Sequence, residues 1–148
     1  MGTRCPARPS DTVHVALTGE GAATTQVKAL VIDDETLIRD IYAEFLALLG
    51  HEADLVVDVH KGLARFDPLV HQVVITDFLM PGLTGLEIAE AIRRDGHTTP
   101  IMLISGSAEE PDERRVAEAG LRFLRKPVSF AQFKGSLAAV VEPAGPAP

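Results

Sequence analysis

Short apolar runs and amphipathic stretches alternate along the chain between residues 28 and 141. The apolar runs predict strands at 28–33, 53–59, 72–76, 100–105 and 121–125. They are almost continuously apolar, with little of the alternation that marks a strand with one face in water. The pattern therefore favours strands covered on both faces, as in a parallel sheet.

An amphipathic stretch follows each predicted strand and indicates a helix. We expect helices at 36–50, 60–66, 85–96, 111–119 and 130–141, the second being short and weak. Pro111 suits the first position of its helix, where no backbone N–H is needed. Ser129 and Gln132 have the spacing of a capping box before the last helix. This repetition predicts an α/β domain with an open, doubly wound sheet of five parallel strands flanked by five helices.

The segments on either side of the predicted domain, which spans residues 27–141, differ from it in composition. Residues 1–26 mix Pro, Gly, Thr and Ala and are expected to form a tail, although a patch at 13–17 alternates like a short strand. That patch could be an addition to the domain or the remnant of an upstream domain. Residues 142–148 form a second tail, rich in Pro and Ala.

Composition narrows the class of protein. The chain has 148 residues, 46% of them hydrophobic, which suits a folded domain with its own core. Its net charge of −7 argues against binding to nucleic acid or to an anionic membrane surface. No apolar run could span a bilayer, and the single cysteine excludes an intrachain disulfide, so we expect a cytoplasmic protein. The histidines, at 14, 51, 60, 71 and 97, show no metal-ligand spacing and are expected at the surface, away from the ends of the strands.

Polar side chains follow the predicted strands where their carboxyl ends would meet. They are Asp33 and Asp34 at the end of the first strand, Asp77 at the end of the third, Ser105 at the end of the fourth and Lys126 at the end of the fifth. Ligands of open parallel sheets bind beyond these ends. Three clustered carboxylates favour a hard cation, with Mg²⁺ as the best fit and Mn²⁺ as an alternative. A carboxylate beside such a cation, an ammonium and a hydroxyl is placed to attack phosphorus and form an aspartyl phosphate.

Each of these residues also has an ordinary structural explanation. Asp33 or Asp34 could cap the following helix, and Asp77 could open a turn. Ser105 could be a turn residue and Lys126 a solvated charge. Their joint placement at the ends of the strands favours the functional interpretation.

Four motifs around these residues resemble those of a known family. They are VIDDE at 31–35, ITDFLMPGLTG at 75–85, IMLISGS at 101–107 and FLRKPV at 123–128. In this order and at these intervals they resemble the receiver domain of two-component response regulators, and the resemblance covers residues 27–141. It implies a flavodoxin-like fold with the strand order 2-1-3-4-5.

The resemblance also implies a role for each matching residue. Asp77 would accept a phosphoryl group. Asp34 would ligate Mg²⁺ directly and Asp33 largely through water. Asp77 itself and the backbone carbonyl of Leu79 would complete the metal ligands from the protein.

The remaining matches would respond to the phosphoryl group. Lys126 would pair with its oxygens, Ser105 would hydrogen-bond to it, and Pro127 would follow the lysine through a cis peptide bond. Phe123 stands where the family carries an aromatic side chain that turns inward on activation. Because Phe lacks a hydroxyl, we expect an inward side chain even before phosphorylation. Leu79 cannot orient an attacking water, so we expect a long-lived phosphoryl group.

The predicted function is a phosphorylation-dependent switch and not an enzyme acting on external substrates. A histidine kinase or a histidine phosphotransfer protein would phosphorylate Asp77, and a downstream partner would bind the face made by the fourth helix, fifth strand and fifth helix. Neither tail has room for a DNA-binding helix-turn-helix. We therefore expect a single-domain regulator, a phosphate shuttle or the receiver of a hybrid histidine kinase, as a monomer or weak dimer.

Two other functions remain open. A receiver-like interaction module that is not phosphorylated would be expected to have lost an acid or the lysine, and all are present. A phosphatase of the haloacid dehalogenase type, with an aspartate nucleophile, would carry a second acid two residues later, where this chain has Leu79. Titration with Mg²⁺ separates the module from the switch, because a module that does not signal needs no metal site.

Overall fold

The five predicted strands form one parallel sheet in the computed structural model, which describes residues 26–106 and 110–141. They are β1 (Lys28–Ile32), β2 (Glu52–Val56), β3 (Val73–Asp77), β4 (Ile101–Ser105) and β5 (Arg122–Arg125). Their order is β2-β1-β3-β4-β5, and all neighbours are parallel. The predicted order 2-1-3-4-5 is therefore confirmed. The predicted tails and the patch at 13–17 lie outside the described residues, apart from position 26.

Helices follow the strands as predicted. They are α1 (Thr36–Leu48), α2 (Gly62–Arg65), α3 (Gly85–Arg94), α4 (Glu113–Ala119) and α5 (Phe130–Val141). The prediction that β2 continues to residue 59 is wrong. The strand ends at Val56, and the chain then turns at Asp58, whose carboxylate accepts the N–H of His60 at 3.1 Å and whose carbonyl accepts the N–H of Lys61 at 2.8 Å. Among the described residues, no helix is long and apolar enough to cross a membrane.

Side-chain caps fix the starts of the later helices. The capping box of Ser129 and Gln132 is confirmed, with reciprocal hydrogen bonds of 2.9 and 3.1 Å. The prediction that α4 begins at Pro111 is wrong. Its N-cap is Asp112, whose side chain accepts the backbone N–H groups of Arg114 and Arg115. The side chain of Asp112 thus satisfies two backbone N–H groups that have no partner within the helix. This stabilisation outweighs the suitability of proline for the first turn.

The sheet is covered on both faces by apolar clusters. On one face, Tyr42 of α1 stacks on Phe133 of α5 at 5.6 Å between ring centroids, over the buried side chains of β1, β3 and β4. On the other face, Ile88 and Ile92 of α3 pack against β1 and β3. Full burial of each such side chain contributes about 1.5–3 kcal/mol. These two layers hold the carboxyl ends of the central strands in place.

His71, which was expected at the surface, is buried and only 2% exposed. Its Nε2 lies 3.0 Å from Oδ2 of Asp54, and its Nδ1 accepts the backbone N–H of Asp67 at 3.1 Å. Asp54 also pairs with Arg65. Because both ring nitrogens have hydrogen-bond partners, the histidine is buried without an unsatisfied polar atom.

Candidate functional site

Asp77 ends the fully buried strand β3 at the centre of the sheet. It lies opposite Ile104 in the β3–β4 register and is 7% exposed. The chain then turns through a small antiparallel ladder, in which Leu79–Met80 pairs with Leu83–Thr84. Gly85 closes this turn by donating its N–H to the carbonyl of Phe78 at 2.7 Å. A Cβ at Gly85 would lie 2.2 Å from the carbonyl oxygen of Asp77, so only glycine fits this close approach.

The predicted acidic residues meet at this end of the sheet. Carboxylate oxygens of Asp33, Asp34 and Asp77 all lie within 4.8 Å of one another. Asp33 is buried at 1% exposure, whereas Asp34 is exposed. One oxygen of Asp33, Oδ1, accepts the N–H of Glu35 at 2.9 Å, and the other, Oδ2, is buried without a hydrogen-bond partner.

The helix-cap explanation for Asp33 and Asp34 is not what the structure shows. The N-cap of α1 is Glu35, and it makes no side-chain capping hydrogen bond. The two aspartates precede the helix, and their side chains lie with that of Asp77. Their carboxylates are therefore available to a ligand at the end of the sheet.

Lys126 completes the site from the end of β5. Its Nζ lies 3.0 Å from Oδ1 of Asp77, 3.3 Å from Oε1 of Glu35 and 3.7 Å from Oδ2 of Asp33. Its backbone N–H donates to the carbonyl of Ser105 at 2.9 Å, which fixes the start of the side chain beside β4. The peptide bond between Lys126 and its neighbour Pro127 is cis.

Gly106 makes room for the stem of this lysine. A Cβ at Gly106 would lie 2.9 Å from Cδ and 3.0 Å from Cβ of Lys126. Even an alanine there would push the lysine stem aside. The bare backbone at Gly106 therefore lets the ammonium reach Asp77.

Burial raises the pKa values of the two inner carboxyl groups. For Asp33, burial is the main cause, the N–H of Glu35 acts in the opposite direction, and the pKa rises to about 6. Burial also raises the pKa of Asp77, against the effect of its hydrogen bond to Lys126. Burial disfavours the charged form of Lys126, but the hydrogen bond to Asp77 and the charge of Asp33 outweigh it and raise the pKa. The site thus holds more negative charge than one ammonium neutralises.

The donor set fits Mg²⁺. Three carboxylates within reach of one another supply hard oxygen ligands. Oδ2 of Asp33, which accepts no hydrogen bond, is a buried acceptor that a cation or one of its waters would satisfy. An added dication would also offset the excess negative charge. Asp33, Asp34 and Asp77 are therefore the residues that could hold the metal.

The other predicted residues surround this centre. Ser105, at the end of β4, is buried. Phe123 is half-buried against Phe78, Leu86 and Leu103, and the Arg125 guanidinium carbon lies 5.4 Å from the centroid of its ring. The ring thus packs against this apolar cluster and also has a cation close to it.

A pocket of about 580 Å³ opens beside Asp77, and the sequence alone did not predict it. Leu79, itself 37% exposed, lines this pocket. The lining also includes Glu35, Ile38, Ile41, Tyr42, Gly106, Lys126, Pro127 and Val128. Ile41 of α1 is 42% exposed and faces this opening, whereas the amphipathic pattern indicated only that a helix lies there.

Two polar residues near the site were not singled out from the sequence. Glu35 binds the ammonium of Lys126, a residue 91 positions away in the chain. Arg39, in α1, is buried and donates to the main-chain carbonyl of Asp33 at 2.8 Å.

The histidines were expected away from the ends of the strands, but the ring of His60 lies near the turn that follows Asp77. It is 3.2 Å from the position that a Cβ at Gly82 would take.

Comparisons with known proteins agree with this geometry. The family model of the response regulator receiver domain matches residues 29–138. The chain is 28% identical over 116 residues to the two-component response regulator PhoP of Pseudomonas aeruginosa. The aligned region covers 78% of this chain and 52% of PhoP. It is 29% identical over 114 residues to the sensor histidine kinase RcsC of Salmonella typhi, which covers 76% of this chain and 12% of RcsC. The chain thus spans about half the length of PhoP.

Solved structures show the same fold. A response regulator receiver domain protein from Clostridium thermocellum superposes with a TM-score of 0.73 at 27% identity, over 78% of this chain and 94% of that one. The chemotaxis protein CheY4 of Vibrio cholerae gives a TM-score of 0.69 at 25% identity, over 78% and 99% of the two chains. With three acids and a lysine gathered at the end of such a sheet, this chain belongs to the family of response regulator receiver domains of two-component systems.

Proposed function

We propose that the domain accepts a phosphoryl group on Asp77 from a phosphohistidine, in a step that needs Mg²⁺. The observation that carries this proposal is the meeting of three carboxylates with the ammonium of Lys126, 3.0 Å from Oδ1 of Asp77. A carboxylate next to a cation and an ammonium is placed for in-line attack on phosphorus.

The transfer exchanges one bond to phosphorus for another. An oxygen of Asp77 attacks the phosphorus, the P–N bond of the phosphohistidine breaks, and the imidazole leaves with the bonding electron pair and takes up a proton. A bound Mg²⁺ would shield the charge between the carboxylates and the phosphoryl oxygens. Lys126 supplies a second positive charge, and Ser105 a hydroxyl, on the side of the neighbouring strands.

Phosphorylation would also change the contacts of Lys126. In the structure, its ammonium is shared between Asp77, Glu35 and Asp33. A phosphoryl group on Asp77 would offer it stronger acceptor oxygens, so the lysine would shift toward them. Lys126 directly follows β5, and its N–H is bonded to the last residue of β4. That shift would alter the face formed by α4, β5 and α5, where we place the downstream partner.

The phosphodonor would be a histidine kinase or a histidine phosphotransfer protein. This assignment rests on the family and on chemistry, because the proposed acceptor is an aspartate at the end of a pocket open to a partner. Matching segments occur in proteins described as a response regulator and as a sensor histidine kinase. Both kinds of protein take part in phosphoryl transfer between histidine and aspartate.

Intact-mass spectrometry after incubation with acetyl phosphate tests the proposal. The wild-type chain should gain one phosphoryl group with Mg²⁺ and none with EDTA, and Asp77→Asn should gain none. Asp95→Asn, at the exposed C-cap of α3, is the matched control and should behave as the wild type does. Absence of an adduct from both acetyl phosphate and a phosphohistidine donor would refute the proposal and favour an interaction module that is not phosphorylated.

A further inference from the structure

The turn between β1 and α1 carries two of the three acids, yet no side-chain cap fixes the start of α1. Two other contacts hold the turn. Oδ1 of Asp33 accepts the N–H of Glu35 at 2.9 Å, within the turn itself. Nη1 of Arg39 donates to the main-chain carbonyl of Asp33 at 2.8 Å, from the next turn of the helix.

Arg39 is an unusual side chain for this position, because it is charged and only 7% exposed. Its Nη2 lies 3.4 Å from Oγ1 of Thr36, and its Nε is buried without a hydrogen-bond partner. No carboxylate within residues 26–106 and 110–141 pairs with this guanidinium. Burying such a group without a carboxylate partner is costly, and an apolar side chain of similar length would avoid that cost. The short hydrogen bond to the Asp33 carbonyl is the contact that distinguishes arginine from such a side chain.

We propose that Arg39 is a positioning residue of the metal site, an inference that rests on the function proposed above. The carbonyl it holds belongs to the peptide group that joins Asp33 to Asp34. Fixing that peptide sets the direction in which the Asp34 carboxylate leaves the backbone. It also fixes the backbone from which the buried carboxylate of Asp33 extends, close to those of Asp34 and Asp77.

Such control of the backbone matters for Mg²⁺ in particular. The ion requires nearly ideal octahedral geometry at short distances, so a small rotation of the peptide misplaces a ligand oxygen. Groups that orient metal ligands from outside the coordination sphere typically change metal affinity by about 10- to 100-fold. We expect loss of the Arg39 contact to weaken Mg²⁺ binding within that range.

Isothermal titration calorimetry with Mg²⁺ on the full chain tests this role. Arg39→Met keeps the length of the side chain and removes its donors, so it should raise the Kd for Mg²⁺ by about 10-fold or more. Arg39→Lys keeps a single donor group with a shorter reach and should give a Kd between those of Arg39→Met and the wild type. This graded order is not expected from a side chain that only fills space.

Arg93→Met is the matched control. Arg93 is a half-buried arginine near the opposite end of the sheet, and it donates to the carbonyls of Ala119, His97 and Thr99 at 2.7, 3.0 and 2.8 Å. Its replacement should lower the free energy of unfolding and leave the Kd for Mg²⁺ unchanged. A destabilised fold and a misplaced metal ligand are thereby separated.

The outcomes distinguish the two proposals. Mg²⁺ binding of wild-type strength in a folded Arg39→Met chain overturns the role of Arg39 and leaves the proposed function intact. If that variant does not fold, Arg39→Lys decides the matter, and an affinity equal to that of the wild type overturns the role. If the wild-type chain itself binds no Mg²⁺, the proposed function loses its metal and the role of Arg39 falls with it.

Discussion

The ammonium of Lys126 lies 3.0 Å from Oδ1 of Asp77, although the two residues end strands that are not neighbours in the sheet. β4 lies between those strands, and Gly106, just after it, leaves the space through which the lysine stem passes. The ion pair therefore depends on three consecutive strand ends. Of the three carboxylates that pair with the ammonium, that of Asp77 is the nearest.

Lys126→Met tests the contribution of this ammonium. Methionine keeps much of the stem that packs against Gly106 and removes the charge. With acetyl phosphate and Mg²⁺, we expect the rate of adduct formation to fall by about 100-fold, since one electrostatic contact to a developing oxyanion is worth that much or more. Lys134→Met, at an exposed position of α5, should keep the wild-type rate. Equal rates in both variants would remove Lys126 from the reaction.

The raised pKa of Asp33 predicts how the stability of the metal-free protein depends on pH. The pKa rises from 3.8 to about 6 on folding, so between these values the native state binds more protons than the unfolded state. Stability must then fall as pH rises from about 4 to 6, by up to about 3 kcal/mol from this group. Urea denaturation in EDTA measures it.

Two controls accompany that titration. Asp33→Asn should flatten the fall in stability between pH 4 and 6, because the asparagine amide does not titrate. Mg²⁺ should stabilise the wild-type chain strongly at pH 7 and weakly at pH 4.5, because protonated carboxyl groups are poor ligands. Metal-free stability that rises steadily from pH 4 to 6 would contradict the conclusion that burial raises the pKa of Asp33.

The sequence alone predicted the sheet and the main site residues for physical reasons. Apolar runs between amphipathic stretches restrict the chain to a parallel sheet, and the carboxyl ends of such a sheet meet at one edge. Asp77 and Lys126 could therefore be placed together although 49 positions separate them. Both reach the site from the end of a strand, where the direction of the backbone is known in advance.

Other residues could not be placed, because their surroundings come from distant segments. His71 is buried because Asp54 and the backbone of Asp67 satisfy its ring nitrogens, and no local pattern shows that. An arginine such as Arg39 usually lies on the solvated face of a helix. It is buried here because the turn before α1 places the carbonyl of Asp33 within hydrogen-bonding distance. At the start of α4, Pro111 was the predicted first residue, but the side chain of Asp112 caps the helix and sets its start.

Two glycines give a matched test of the turn that follows Asp77. In Gly85→Ala, the new Cβ would lie 2.2 Å from the carbonyl oxygen of Asp77, a backbone atom that cannot move away alone. We expect a loss of about 3 kcal/mol or more in the free energy of unfolding, together with weaker Mg²⁺ binding. A Cβ at Gly135, in α5, meets no atom within 4 Å. Gly135→Ala should therefore stabilise the chain by about 0.5–1 kcal/mol.

Thermal and urea denaturation of the two glycine variants, followed by calorimetry with Mg²⁺, give the comparison. The opposite signs of the two effects exclude a general response to glycine replacement. If Gly85→Ala folds with wild-type stability, the tight approach between the turn and Asp77 is not required. In that event the turn does not fix the position of the acceptor.

The side chain of Leu79 is expected to control the lifetime of the phosphoryl group on Asp77. It is two residues after Asp77, lines the same pocket and is 37% exposed. An apolar side chain there cannot hydrogen-bond a water that attacks the phosphorus, so we expect a lifetime much longer than seconds in the wild-type chain. Leu79→Asn places an amide within reach of that water and should shorten the lifetime at least about tenfold.

The decay of the mass adduct after removal of acetyl phosphate gives both lifetimes directly. Leu69→Asn is the control, because Leu69 is 90% exposed and is not among the residues that line the pocket. The phosphoryl adduct of Leu69→Asn should decay at the wild-type rate, since the same chemical change is made away from the attacking water. A wild-type lifetime of seconds, or equal decay in both asparagine variants, would mean that water reaches the phosphorus by a route that Leu79 does not control.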